Sequence, residues 1–309
     1  MLEPPPEVAD ADLLAAVRRA WEPDAERVSY LAVGFGAHHW AAYVGAERSL
    51  FVTYDQAAGT DAAFGELEAA YDGAVTLRER GIELVIAPLR GRHGRVLVPF
   101  ARGALSCTTW RDGTSGGPLD LLWTLDALRR LHAVDPPSGL LRWRPKVGPD
   151  LAETLTASTR RGWGPGPYAD DARVSVAGRL EDIARWTARY HHLADVARTR
   201  PWVATHGEPH SDNQLLTEDG RFLIDWDTLR LAPAEVDLRV LVENGARPDD
   251  VGADPEMLEL FDLEWRLDEI NQYAAWFAAP HPGNRDDEIA FGGLLHELER
   301  PDQAASSDG

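Results

Sequence analysis

Lysine is almost absent from this sequence. Of 31 basic side chains only Lys146 is a lysine and all the others are arginine, so no element before residue 146 has an ε-amino group to offer. Cysteine is as scarce. Cys107 stands alone, which excludes an intramolecular disulfide and a cysteine-built metal cluster. Positive charge is in deficit, with 31 Lys and Arg against 51 Asp and Glu and a net charge of −20. A surface this acidic repels phosphate backbones and anionic membranes, so neither a nucleic acid nor a membrane is expected as a partner, whereas a cationic small molecule is attracted. No apolar run approaches the length of a membrane span, and the first residues show no basic stretch followed by an apolar one. The expectation is a cytoplasmic chain.

What is present is ample material for a core. The 309 residues are 44% hydrophobic and include 11 Trp and 8 Phe, enough for one large domain or two modest ones. A short helix over 11–20 precedes three strand-like runs, 28–33, 39–44 and 49–54, joined by the turns Gly34-Phe35-Gly36 and 45–48. Residues 62–80 have Leu67, Ala70, Ala74 and Leu77 at helical spacing, with Gly81 at the position of a C-terminal cap. Two further strands are predicted over 82–89 and 95–99. Beyond these the texture turns helical, with helices predicted over 119–132, 180–198 and 257–277 and a disordered tail over 303–309. The switch in texture predicts an N-terminal lobe over 1–98, a hinge over 99–104 and a helical lobe over 105–309.

The richest segment runs His206-Gly207-Glu208-Pro209-His210-Ser211-Asp212-Asn213. Nine residues on comes the apolar run Phe222-Leu223-Ile224, ending in Asp225-Trp226-Asp227. Two carboxylates two residues apart at the end of a strand share one face and can enter one cleft. Phosphoryl transfer needs a carboxylate to orient or deprotonate the acceptor hydroxyl, and an amide oxygen and a carboxylate as hard ligands for magnesium. Glu208, Asn213 and Asp225 supply these groups in that chain order, with the five-residue step from acid to Asn used in kinase catalytic loops.

These two segments resemble the paired signatures of the aminoglycoside phosphotransferase family, a branch of the protein-kinase-like fold. The resemblance implies an α+β, two-lobed fold with a small antiparallel-sheet N-lobe and a mainly helical C-lobe. It implies ATP or GTP with Mg2+ as cofactors and a hydroxylated, cationic small molecule as acceptor, with antibiotic resistance the leading use. By the same similarity Glu208 takes the catalytic-base position, Asn213 and Asp225 hold the metal with Asp227 in support, and His206 braces the loop. Gly34 and Gly36 fall where the nucleotide-covering loop belongs, and Pro99, Phe100 and Ala101 where a hinge would bind the base. Asp237, within Pro233-Ala234-Glu235-Val236-Asp237-Leu238, falls in a segment whose Asp is structural in that family. Acidic residues of late helices bind the amino-sugar there, which directs attention to Glu235 and to Asp262, Trp265, Asp268 and Glu269 on the helix over 257–277. On that helix Leu260, Leu263, Leu267, Ile270 and Ala274 form the core stripe. The competing reading of its other side is a solvated acidic face.

Two departures from the family pattern stand out. Glu208 occupies a position usually held by Asp, and Thr53 occupies the third-strand position of the lysine that grips the α- and β-phosphates and pairs with a helix glutamate. Lys146 lies too far along the chain to replace it, which leaves an arginine such as Arg48, magnesium with backbone amides, or loss of catalysis, and leaves Glu66 or Glu68 without an evident partner. The last possibility supports a rival reading, a non-catalytic pseudokinase that binds nucleotide or metabolite. A third reading, a hydrolytic metal centre of His206, His210, Asp225 and Asp227, is weakened by Gly207 and Pro209, which break the helix that a four-residue His spacing needs.

Overall fold

The computed structural model describes residues 3–34 and 36–302; Met1, Leu2, Phe35 of the predicted turn and the predicted tail over 303–309 lie outside the described residues. The first elements are α1 (Asp10–Ala20), β1 (Arg27–Leu31), β2 (His38–Val44), β3 (Glu47–Asp55), α2 (Asp61–Glu79), β4 (Val98–Phe100), β5 (Gly103–Thr109) and α3 (Leu121–His132). There follow α4 (Leu151–Thr159), α5 (Ala169–Ala177), α6 (Leu180–Ala197), β6 (Val203–Thr205), β7 (Gln214–Thr217), β8 (Gly220–Leu223), β9 (Arg230–Ala232) and α7 (Glu235–Glu243). The chain ends with α8 (Pro248–Val251), α9 (Pro255–Ala278) and α10 (Arg285–Glu299). Two compact units result, one of residues 1–142 with 202–246 and one of 143–201 with 247–309.

The first unit is built on an antiparallel sheet in the order β1-β2-β3-β5-β4. Its strands alternate as a half-buried surface requires. Trp40 and Ala42 of β2, Leu50, Val52 and Tyr54 of β3, and Leu105 and Cys107 of β5 point into one core, joined by Leu13, Ala16 and Val17 of α1. The other face carries His39, Phe51, Thr53, Ser106 and Thr108. Helix α2 starts on Thr60, whose side chain accepts from Ala63 N, and stops at Gly81, whose φ of +87° only glycine adopts at little cost. Leu67, Ala70, Tyr71, Ala74 and Leu77 of α2 are buried in a second core with Val85, Leu97, Leu223 and Trp226.

Two expectations for this region are corrected. Residues 82–89 do not form a strand of the sheet. Pro88 has no N–H to donate, and residues 84–86 instead bridge to the end of β8 through Leu223 N to Leu84 O (2.8 Å) and Ile86 N to Leu223 O (3.1 Å). Residues 99–104 are not a connection between lobes. They make the β4–β5 hairpin, with Pro99 opposite Ala104, Phe100 opposite Gly103 and Ala101 at φ +48° in the turn.

The second unit is helical. Its buried centre includes Glu264 of α9, which accepts from Trp143 Nε1 (2.8 Å) and from the Tyr190 hydroxyl (2.6 Å). The predicted stripe Leu260, Leu263, Leu267, Ile270 and Ala274 is buried. Among the described residues no helix is long and apolar enough to cross a membrane.

Candidate active site

The residues of the two signature segments lie in the first unit, at the turn between β6 and β7 and just past the end of β8. The segment from His206 to Asn213 has little regular structure of its own, so its shape is set by side chains that satisfy its backbone. Asp237, fully buried near the start of α7, accepts from His206 N at 3.0 Å, from Gly207 N at 2.6 Å and from His132 Nε2 at 2.8 Å. His206 is also fully buried. Its Nε2 lies 2.9 Å from the Ile224 carbonyl and its Nδ1 accepts from Glu208 N at 3.3 Å, which sets the neutral tautomer with the proton on Nε2. Burial pushes its pKa down from the ordinary value, in keeping with that neutral state. Its ring packs on Trp226 with centroids 4.5 Å apart. His206 is thus a strut between the Glu208 loop and the Asp225 turn.

Asn213 closes the loop. Its Nδ2 donates to the Glu208 carbonyl at 2.9 Å, and its own carbonyl accepts from Ile224 N at 3.0 Å. With Nδ2 engaged, the side-chain oxygen is the atom Asn213 has to offer. Gly207 has φ +99°, and a Cβ there would lie 2.7 Å from Thr228 Oγ1, so glycine is required on both counts.

Asp225 and Asp227 do come together, but not by strand alternation. β8 ends at Leu223, and Asp225 takes a left-handed conformation at φ +65°. That turn drives Trp226 into the core, where its indole donates to Leu223 O at 3.1 Å, and leaves the flanking Asp225 and Asp227 exposed. A left-handed conformation is uncommon for residues other than glycine, with Asp among the more tolerant. Both residues are exposed, and Asp225 faces the cavity. Partial burial there, followed by repulsion from Glu208 and Asp55, pushes Asp225 up to about 6. Asp227 is raised by burial, then by Asp225, Glu208 and Asp55. Glu208 is therefore a near neighbour of both.

A cavity of about 370 Å³ adjoins this turn. Gly34, Thr53, Asn213 and Asp225 line it, with Leu31 and Phe51 among its apolar walls. Gly36, Pro99, Phe100, Ala101, His206, Glu208 and Asp227 are not among its lining residues. The chain that leaves β5, from Thr109 through Gly113 to Ser115, lines the cavity where residues 99–101 were expected. The glycine-rich stretch Gly113-Thr114-Ser115-Gly116-Gly117 is the sequence signal that marks it. Tyr71 and Ser106 are further lining residues that sequence reasoning missed, the buried Tyr71 hydroxyl bonding Ser106.

The helix glutamate is not left without a cation. Glu68 holds Arg95 in a bidentate pair, 2.8 Å on each arm. Lys146 pairs with Asp268 at 3.2 Å in the second unit. Asp262 is buried rather than solvated because Arg300 covers it at 2.7 Å, which ties α9 to the end of α10. Glu269 bonds Tyr273, while Trp265 in α9 and Glu235 at the start of α7 are half-buried.

Among the described residues no group of three or more His, Cys, Asp or Glu is arranged to hold a metal ion. Asn213 and Asp225 fit a different kind of ion, one such as Mg2+ that takes one or two protein oxygens and completes its shell with phosphate oxygens and water. The crowding that raises Asp225 is relieved by a cation in its place.

The family model described as the phosphotransferase enzyme family (APH) matches residues 62–277. The sequence is 30% identical over 273 residues to protein StrN of Streptomyces griseus, covering 77% of this chain and 78% of that one. Among solved structures, spectinomycin phosphotransferase APH(9)-Ia in complex with ADP and spectinomycin superposes with a TM-score of 0.69 at 16% identity, over 96% of each chain. A thermostable mutant of aminoglycoside phosphotransferase APH(4)-Ia gives 0.55 at 12% identity, over 97% of this chain and 100% of that one. At such identities the superpositions show a shared fold, the protein-kinase-like fold of these phosphotransferases.

Proposed function

Because the chain belongs to the APH phosphotransferase family, we propose that it transfers the γ-phosphoryl group of ATP or GTP to a hydroxyl of a small cationic molecule of the aminoglycoside or aminocyclitol class. The observation that carries this reading is one cavity lined by Gly34 of the β1–β2 loop together with Asn213 and Asp225. A glycine loop, an amide oxygen and a carboxylate around one space are what a nucleotide triphosphate requires of its site. Asn213 and Asp225 would hold the magnesium, which when bound neutralises charge on the phosphates.

The chain's own residues account for the rest. The base of the nucleotide enters among Leu31, Phe51 and Ile86, against the segment over 109–115. Glu208 orients the acceptor hydroxyl for in-line attack and takes its proton as the new O–P bond forms and the bond from the γ-phosphorus to the β–γ bridging oxygen breaks, releasing the nucleoside diphosphate. His206 and Asn213 hold the Glu208 backbone from two sides, so the longer side chain works from a fixed base. The net charge of −20 draws a cationic acceptor toward the protein. Spectinomycin, bound by the structural relative APH(9)-Ia, is the natural first acceptor to try.

The test is γ-labelled ATP and GTP with a panel of aminocyclitols and aminoglycosides, with Glu208→Gln in parallel. Labelled acceptor is expected from the wild-type protein, and Glu208→Gln should lower turnover at least about 10²-fold, the scale of a positioned acid–base group. A pseudokinase is the second reading, favoured by Thr53 in the lysine position. Nucleotide binding with no turnover on any acceptor would establish it in place of the kinase.

A further inference from the structure

The fold keeps its triphosphate site while lacking the lysine that grips the phosphates, so some other group must meet them. We infer that His39 of β2, held in place by Thr53, donates to the nucleotide's phosphates in place of that lysine; this rests on the kinase reading above.

His39 stands directly opposite Thr53 in the β2–β3 ladder, and both line the cavity. Its Nδ1 lies 3.2 Å from Thr53 Oγ1. On its own strand pair the ring also leans on Phe51, with centroids 4.9 Å apart. The residue in the lysine position therefore orients an imidazole. With Thr53 donating to Nδ1, the proton sits on Nε2 and that nitrogen is the donor.

Gly34 has φ +69°, and a Cβ on it would come within 3.1 Å of His39 Nε2. Gly34 therefore lines the cavity close to the ring's Nε2 edge. Phosphates beside Gly34 would lie next to Nε2.

The other cations that line the cavity are Arg48 and Arg111. Arg48 lines the cavity too, but it is five residues from Thr53, about 17 Å along an extended strand. It lies over the Trp110 ring at 4.7 Å and 3.5 Å from Asp112, and Trp110 N bonds Ser49 O at 3.0 Å. Arg111 belongs to the same end and lies over Phe222 at 4.7 Å. Both arginines sit at the segment over 109–115, where the base binds, and His39 sits at the Thr53 end. Burial, with His38 beside it on the same strand, keeps the imidazole neutral in the free protein. It can therefore stand against Thr53 without an anion and still answer one that arrives.

The experiment is calorimetric titration of the full-length protein with ATP, ADP and adenosine in Mg2+ buffer, for wild type, His39→Ala, His39→Gln and Arg48→Gln. His39→Ala should weaken ATP and ADP about tenfold or more, the scale of one charge-assisted hydrogen bond. It should leave adenosine within twofold. His39→Gln, which keeps a donor, should recover part of the loss. Nitrogen NMR of the wild-type histidines covers the case in which a variant misfolds and loses adenosine as well. The His39 Nε2 resonance should then move with ADP and not with adenosine. ATP and ADP binding unchanged in His39→Ala would overturn the inference and leave the kinase reading intact. So would an ATP-specific loss in Arg48→Gln. A wild-type protein that binds neither ATP nor GTP would overturn both.

Discussion

Asp237 makes no approach to the cavity, yet the loop that carries Glu208 hangs on it. Replacing it with Ala removes the acceptor of two backbone N–H groups, His206 N and Gly207 N, and the partner of His132 Nε2. Water cannot easily replace it, since Asp237 and His206 are both fully buried. Each orphaned buried donor costs about 1–3 kcal/mol. Three such donors sum to about 3–9 kcal/mol, and the lower part of that span, about 3–5 kcal/mol, is the range for removing one partner of a buried hydrogen-bonded charge. At about 2–4 °C per kcal/mol for a unit of 150–250 residues, the transition of the first unit should fall by about 6–20 °C. Asp237→Asn keeps one acceptor but sets an amide N–H against the second donor, so about half of that loss is expected. Below its lowered transition, Asp237→Ala should lose turnover by about 10²-fold with adenosine binding retained, because a displacement of Glu208 by about 1 Å is enough. Scanning calorimetry with the acceptor assay measures both. A loss of less than about 1 kcal/mol in Asp237→Ala would show that the loop is held by something else.

Further outcomes follow from the same contacts. His206 is buried with its pKa below that of the unfolded chain, so between those values the unfolded state binds more protons and stability falls as pH drops through about 6.5. Asp225, raised to about 6, works in the opposite sense between its ordinary value and 6, so the comparison must be with His206→Gln. Denaturant titrations from pH 7.5 to 5 should show the wild type losing up to about 1.4 kcal/mol per pH unit more than the variant, and equal slopes would refute the assignment. Gly207→Ala meets both a left-handed backbone and Thr228, and should cost at least about 1–3 kcal/mol in the same titration. Glu68→Ala, by contrast, breaks a pair whose arginine is half exposed and which lines no part of the cavity. It should change stability by less than about 1 kcal/mol and leave ATP affinity unaltered by calorimetry.

The chemistry of this protein was legible where it is local. Glu208, Asn213 and Asp225 fall within two short stretches of chain, and the types of group and their order suffice for the resemblance to the phosphotransferase family to which the chain belongs. Helices α2 and α9 were equally legible, because helical periodicity and caps are decided within a few turns. The absence of a usable lysine was a plain fact of composition. Other features were not legible because they depend on pairing between distant residues. Residues 82–89 have strand character, but Leu84 and Ile86 bond Leu223 of β8 while Leu89 N bonds Cys107 O of β5, and residues 99–104 form a hairpin because β4 pairs with β5. The carboxylates of Asp225 and Asp227 meet through a left-handed turn held by the burial of Trp226, and Asp262 is covered by an arginine 38 residues away. Even the answer to the missing lysine is a matter of register. His39 faces Thr53 only once β2 and β3 are aligned, and a slip of one residue would turn it into the core. Composition and local periodicity decide which groups and helices exist; long-range hydrogen bonding and burial decide which groups meet.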